Sequence, residues 1–160
     1  MVWLGVDLGE ARVGLALSDP ELTFAHPIGN ITVHGNAMDA IEDVIDIIER
    51  EQVGRVIVGV PLLLSGKQGG SAHKAQHWMR ELMSRLLEYK HTGQIKLDDV
   101  PIVELQDERL TTVTAHRQLS DTLISTREHR SMVDQQSAVL ILQSALDARQ
   151  AGAMSNNDAG

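Results

Sequence analysis

Apolar and polar positions follow two different periods along this chain, and the change of period divides it. Residues 2–8 (VWLGVDL) and the stretch VGLALSD, ending at Asp19-Pro20, read as strands joined by the turn Gly9-Glu10-Ala11-Arg12. A third short strand is expected over 28–33. Three strands in succession with short links predict an antiparallel meander. From Asn36, a residue suited to capping a helix, the apolar positions Ala37, Ile41, Val44, Ile45 and Ile48 take helical spacing. RVIVGV at 55–60 has no polar alternation inside it, the sign of a strand covered on both faces. A loop with three glycines, Pro61 to Gly70, precedes a helix expected from about 71 to 89, with Ala75, Trp78, Met79, Leu82 and Leu86 on its stripe. PIVELQ (101–106) is a further buried strand. A short helix should follow DERLTT, then a polar loop near 120–131 and a helix from about Val133 to Arg149. The order βββ-α-β-α-β-α-α predicts an α/β fold. Its mixed five-stranded sheet begins as an antiparallel meander, continues in parallel strands joined by helical crossovers, and is flanked by helices. One domain over 1–150 is expected, with AGAMSNNDAG (151–160) a disordered tail that has nothing to bury.

Composition narrows the function classes. The chain has 160 residues, of which 42% are hydrophobic and 22% charged, so a packed globular core is expected. Only two Trp, one Tyr and one Phe are present, which argues against an aromatic platform for single strands. The absence of cysteine excludes thiolate metal ligation and thiol catalysis and fits a reducing cytoplasm. No apolar run approaches the ~20 residues of a membrane helix, and MVWLGVDLGE does not read as a signal peptide. The net charge of −8 looks hostile to nucleic acid, yet residues 36–52 carry six acids against Arg50 alone, leaving only −3 for the rest. One acidic helix face is enough to hide a neutral or basic surface elsewhere, so net charge does not decide the partner.

Three places carry carboxylates where a fold of this kind places few. In β-alternation Val2, Leu4, Val6 and Leu8 take one face of the first strand, while Trp3, Gly5 and Asp7 take the other. Asp7 is thus a carboxylate inside a strand, costly unless compensated. The competing reading is a strand-end aspartate bonding the turn amides or pairing with Arg12. Asp107 and Glu108 end the PIVELQ strand, at an edge where site residues are common, although acids there also suit the start of a helix. Asp134 falls on the stripe of Ala138, Ile141, Leu142 and Ala145, pointing towards the sheet unless it serves as a cap. Three converging carboxylates repel one another unless a cation lies between them. Oxygen-only ligation suits Mg²⁺ or Mn²⁺, and two such ions can drive phosphodiester hydrolysis.

The segment Asp7-Leu-Gly9-Glu-Ala-Arg12-Val-Gly14-Leu-Ala16-Leu-Ser18-Asp19 resembles the opening of the YqgF-like proteins. Three more segments match that family in order. Val58-Gly59-Val60-Pro61-Leu62 with Ser65-Gly66 resembles its Gly-Leu-Pro loop, with Val60 where Leu is usual. Asp107-Glu108-Arg109-Leu110-Thr111-Thr112 is similar to its most distinctive signature, and Val133-Asp134, Ser137-Ala138 and Leu142-Gln143 match its C-terminal helix. The resemblance spans residues 2 to about 148 and implies a ribonuclease H-like fold. The family's members are described both as Holliday-junction resolvases and as nucleases that process pre-16S ribosomal RNA. The resemblance therefore implies an Mg²⁺- or Mn²⁺-dependent nuclease whose catalytic and metal residues are Asp7, Glu108 and Asp134, with Asp107 as rival to Glu108. It implies Arg12, Lys67 and Arg109 as substrate-binding cations, with Arg127 and Arg130 more readily ordinary surface charges. Structured RNA is the favoured partner, with the ribosome or its precursors behind it; branched DNA is the alternative.

Other signals in the sequence are weaker. His73, His77 and Glu81 have the spacing of a helical metal stripe but lie off the core stripe, and a solvated face is the expected reading. GVPLLLSGKQGG lacks the Walker pattern. The Asp7-Leu-Gly9 hairpin also resembles the start of actin-like and sugar-kinase ATPases, which bind nucleotide between two domains where this chain has length for one. A catalytically silent RNA- or ribosome-binding module is the remaining alternative.

Overall fold

The computed structural model describes residues 1–60, 70–107 and 127–158. The chain opens with β1 (Val2–Leu8), β2 (Arg12–Ser18) and β3 (Ala25–Thr32), and a 3₁₀ turn (Ala37–Ala40) then leads into α1 (Ile41–Glu51). After these come β4 (Val53–Val60), α2 (Gly70–Thr92), β5 (Ile102–Asp107) and α3 (Arg127–Asp158). The five strands form one sheet in the order β3-β2-β1-β4-β5. Pairing is antiparallel from β1 to β2 to β3 and parallel from β1 to β4 to β5, the mixed sheet expected from the order of elements. The C-terminal ends of β1, β4 and β5 consequently share one edge.

Strand alternation divides the interior in two. Leu4, Val6, Leu15, Val56 and Val58 pack with Val44, Ile48, Trp78 and Leu82 on the side of α1 and α2. Trp3, Ala16 and Ile57 take the other face and pack against Ala138, Ile141, Leu142 and Leu146 of α3. The helices are held to one another by polar contacts as well. Trp78 Nε1 donates to the Ala37 carbonyl at 2.8 Å, and Arg85 reaches Glu42 of α1 and Glu81 of its own helix, both at 2.9 Å. The Tyr89 hydroxyl donates to the same Glu42, which pushes its pKa up. His73 and His77 are exposed, as a solvated face requires, and Met79 is only half-buried, at the margin of the core that was expected to hold it.

Two boundaries differ from the expected ones for physical reasons. Asn36 does cap, its Oδ1 accepting from Met38 N at 3.0 Å, but it caps a 3₁₀ turn, and the α-helix starts only at Ile41. Tight first turns of this kind are common at helix starts. Helix α3 begins at Arg127, inside the expected polar loop, and runs to Asp158, through most of the segment expected to be disordered. The hydrophobic stripe ends near Leu146, but Ala151, Ala153 and Met154 are good helix formers, so the backbone needs no further burial to continue. The expected short helix after DERLTT lies outside the described residues, as does the glycine loop up to residue 69.

The β2–β3 turn is built around Asp19. Its carboxylate accepts from Thr23 N at 2.7 Å, from Phe24 N at 2.9 Å and from the Thr23 hydroxyl. Those bonds, the Thr23 hydroxyl first and Phe24 N next, lower its pKa from 3.8 to about 2. A depressed carboxylate contributes stability that is complete above pH 3.8 and is lost as the pH falls towards about 2. Asp19→Asn is therefore expected to show a shallower fall in thermal midpoint than the parent across that window, read by circular dichroism melts. An equally steep fall would mean that the turn does not use the charge.

Candidate active site

Asp7 sits in the penultimate position of β1 and is 2% exposed. Its register partners are Gly14 on β2 and Gly59 on β4. The row extends outward to Asn30 on β3 and Gln106 on β5. Asp7 therefore has a glycine as its directly paired residue on either side, while two half-buried amide residues stand at the ends of the row. Asn30 and Gln106 are additions that sequence reasoning missed. No local signal reveals them, because the row exists only once five separate strands are in register.

The strand approaches α3 closely two residues before Asp7. A Cβ placed on Gly5 would lie 2.7 Å from Leu142 Cβ and 2.9 Å from the Ala138 carbonyl oxygen, so only glycine permits this helix–sheet distance. Asp134 lies one helical turn before Ala138 on α3. Asp7 is about 7 Å along the strand from this contact, and Asp134 about 6 Å along the helix.

Arg12 opens β2 on the parity of Gly14 and Ala16, the face that carries Asp7, and is half-buried there. The turn before it is pinned from three directions. Gly9 N donates to the Arg12 carbonyl at 2.9 Å, Val33 N to the Ala11 carbonyl at 2.9 Å, and Gly35 N to the Glu10 carbonyl at 3.2 Å. Gly9 itself has no room for a side chain, since a Cβ would lie 2.5 Å from the Arg12 carbonyl oxygen. Asp7 and Arg12 are thus delivered to one face by a rigid turn.

Of the remaining expected site residues, Glu108, Lys67 and Arg109 lie outside the described residues. The side chains of Asp107, Arg127, Arg130 and Asp134 do as well, although their backbones belong to β5 and α3. Among the described residues no three His, Cys, Asp or Glu side chains converge as a metal cage.

The model of the RuvX family, described as Holliday junction resolvase, matches residues 1–148. The chain belongs to the RuvX family. One relative in that setting is a Bifidobacterium adolescentis protein named "Putative pre-16S rRNA nuclease". The two are 60% identical over 147 residues, covering 92% of this chain and 97% of that one. A Rhodococcus jostii protein of the same name is 37% identical over 149 residues, covering 91% of this chain and 77% of the relative. Among solved structures, Thermus thermophilus RuvC in complex with Holliday junction substrate superposes with a TM-score of 0.52 at 16% identity, covering 94% of this chain and 96% of that one, a likeness of fold. The RuvX match spans all four motif segments, from Asp7 to Gln143.

Proposed function

We propose that this RuvX protein is a metal-dependent endonuclease of the cytoplasm that hydrolyses phosphodiester bonds in precursor 16S ribosomal RNA. The observation that carries the reading is Asp7: a 2%-exposed carboxylate between two glycines, at the edge where three parallel strands end, beneath a helix seated on Gly5. Hard oxygen donors without thiolate or imidazole suit Mg²⁺ or Mn²⁺. Asp7, Glu108 and Asp134 would hold the metal. Bound there, it supplies an activated water and charge for the leaving oxygen.

Register counts against Asp107 as the partner of Asp7. Asp107 pairs with Val60, in the row after the one that joins Asp7, Gly59 and Gln106, so it has the opposite parity to Asp7. Arg12 shares the face of Asp7 and would neutralise a substrate phosphate, with Lys67 and Arg109 as further cations. The RNA assignment is supported by the names of the two relatives above. No helix among the described residues is long and apolar enough to cross a membrane. Junction resolution in DNA is the second reading, favoured by the description of the family itself.

A cleavage assay on a pre-16S RNA leader fragment and a four-way DNA junction, with Mn²⁺ or with EDTA, tests the proposal. RNA cutting that EDTA stops is the expected result. Cutting of the junction alone would transfer the assignment to the resolvase reading. A folded protein that binds RNA but cuts neither substrate would be the silent module.

A further inference from the structure

On the other side of the strand end from Asp7 there is a cavity of ≈ 350 Å³. It adjoins the site: Leu8 and Gly9, which follow Asp7, and Gly59, its register partner, all belong to its wall. We propose that this cavity receives one unpaired nucleotide of the substrate RNA, with the base inside and a phosphate at the rim on Lys74. This rests on the nuclease reading for the source of the nucleotide.

The lining carries the argument. The floor is apolar, formed by Ala75, Met38 and the buried Trp78, whose indole N–H is already held by the Ala37 carbonyl and so cannot turn into the space. Gly9, Gly35 and Gly59 present backbone and no side chain, which lets a flat ring approach. Asn36 spends its Oδ1 on Met38 N, leaving its amide N–H groups to donate, and Glu10 beside it is an acceptor. Such a donor and acceptor pair is what the edge of a base demands. At the rim, Lys74 and His77 lie three residues apart on one face of α2, both exposed, in a chain whose net charge is −8. Neither makes an ion pair with another described residue. Ligand pockets span about 300–1,000 Å³, and a cavity at the lower end of that range takes a single nucleotide and not a strand.

The chain contains its own control. It has two tryptophans, Trp78 in this cavity and Trp3 on the opposite face of the sheet beneath Arg55, with the guanidinium carbon 4.9 Å from the ring centre. Adding AMP, GMP, CMP or UMP to the ¹⁵N-labelled full chain in EDTA is expected to move the Trp78 indole resonance and leave that of Trp3 in place. Lys74→Glu, an exposed position, is expected to weaken the apparent affinity by roughly tenfold, the scale of one charge-assisted bond. Inorganic phosphate is expected to leave the Trp78 resonance in place. A Trp78 signal that no mononucleotide moves, or that phosphate alone moves equally, overturns the proposal even in an active nuclease. A moving Trp78 signal in a chain that cuts no substrate would support the cavity while overturning the nuclease reading.

Discussion

Asp7→Asn is expected to lower metal-dependent cleavage by at least about 100-fold, since even residues that merely orient metal ligands act on the scale of 10–100-fold. The same variant is expected to melt at the parent temperature or above it. Asparagine keeps the shape of the side chain, and removing one charge from a group that is 2% exposed relieves desolvation and any repulsion from neighbouring carboxylates. The pairing of these two outcomes is what identifies a site residue. A structural aspartate bonding the Gly9–Arg12 turn would behave in the opposite way, losing stability on substitution and carrying activity down only through unfolding. Thermal melts and cleavage rates measured on one preparation separate the two. An Asn variant that cuts at the parent rate would remove Asp7 from the chemistry altogether.

Gly5→Val is expected to lower both stability and turnover, by a route that does not touch the reacting groups. Its Cβ alone would lie within 2.9 Å of the Ala138 carbonyl, a backbone atom that cannot swing aside, and the valine methyls would press further into Leu142. Helix α3 must move outward. Overpacking of this kind costs typically 1–3 kcal/mol, occasionally more, which for a chain of this size is a fall of several degrees in Tm. Because α3 also carries Asp134, a shift near 1 Å is expected to cost on the order of 100-fold in kcat. Gly54→Ala on β4 is the control. The added methyl would be 2.7 Å from Met1 Cγ, but Met1 is 72% exposed and flexible, so the change is expected to stay within about 0.5 kcal/mol. Equal effects from Gly5 and Gly54 substitutions would show that the α3 contact places no demand on the site.

These two predictions also mark what was legible in the sequence. The facing of Asp7 could be read directly, because strand alternation is local and Val2, Leu4 and Val6 declare the opposite face. The helical stripe under Trp78 and the cap at Asn36 were legible for the same reason. The glycines beside Asp7 were not, since Gly14 becomes its neighbour only once the hairpin register is set, and Gly59 only through a pairing that spans some fifty residues. The demand at Gly5 is likewise invisible until α3 arrives from the far end of the chain. The cavity is drawn from four separate segments and leaves no trace in any one of them. The bounds of α3, Arg127–Asp158, extend past the apolar stripe that periodicity detects.

The seating of α3 has a consequence for how the protein is made. Trp3, Ala16, Leu22 and Ile57 belong to elements synthesised early, yet the side chains that cover them, Ala138 to Leu146, come from the last helix. Until α3 emerges from the ribosome these apolar side chains lack the partners that bury them, a surface that invites chaperones or aggregation. The face that carries Asp7 is closed only once α3 has emerged, so the site proposed around Asp7 cannot be complete before then.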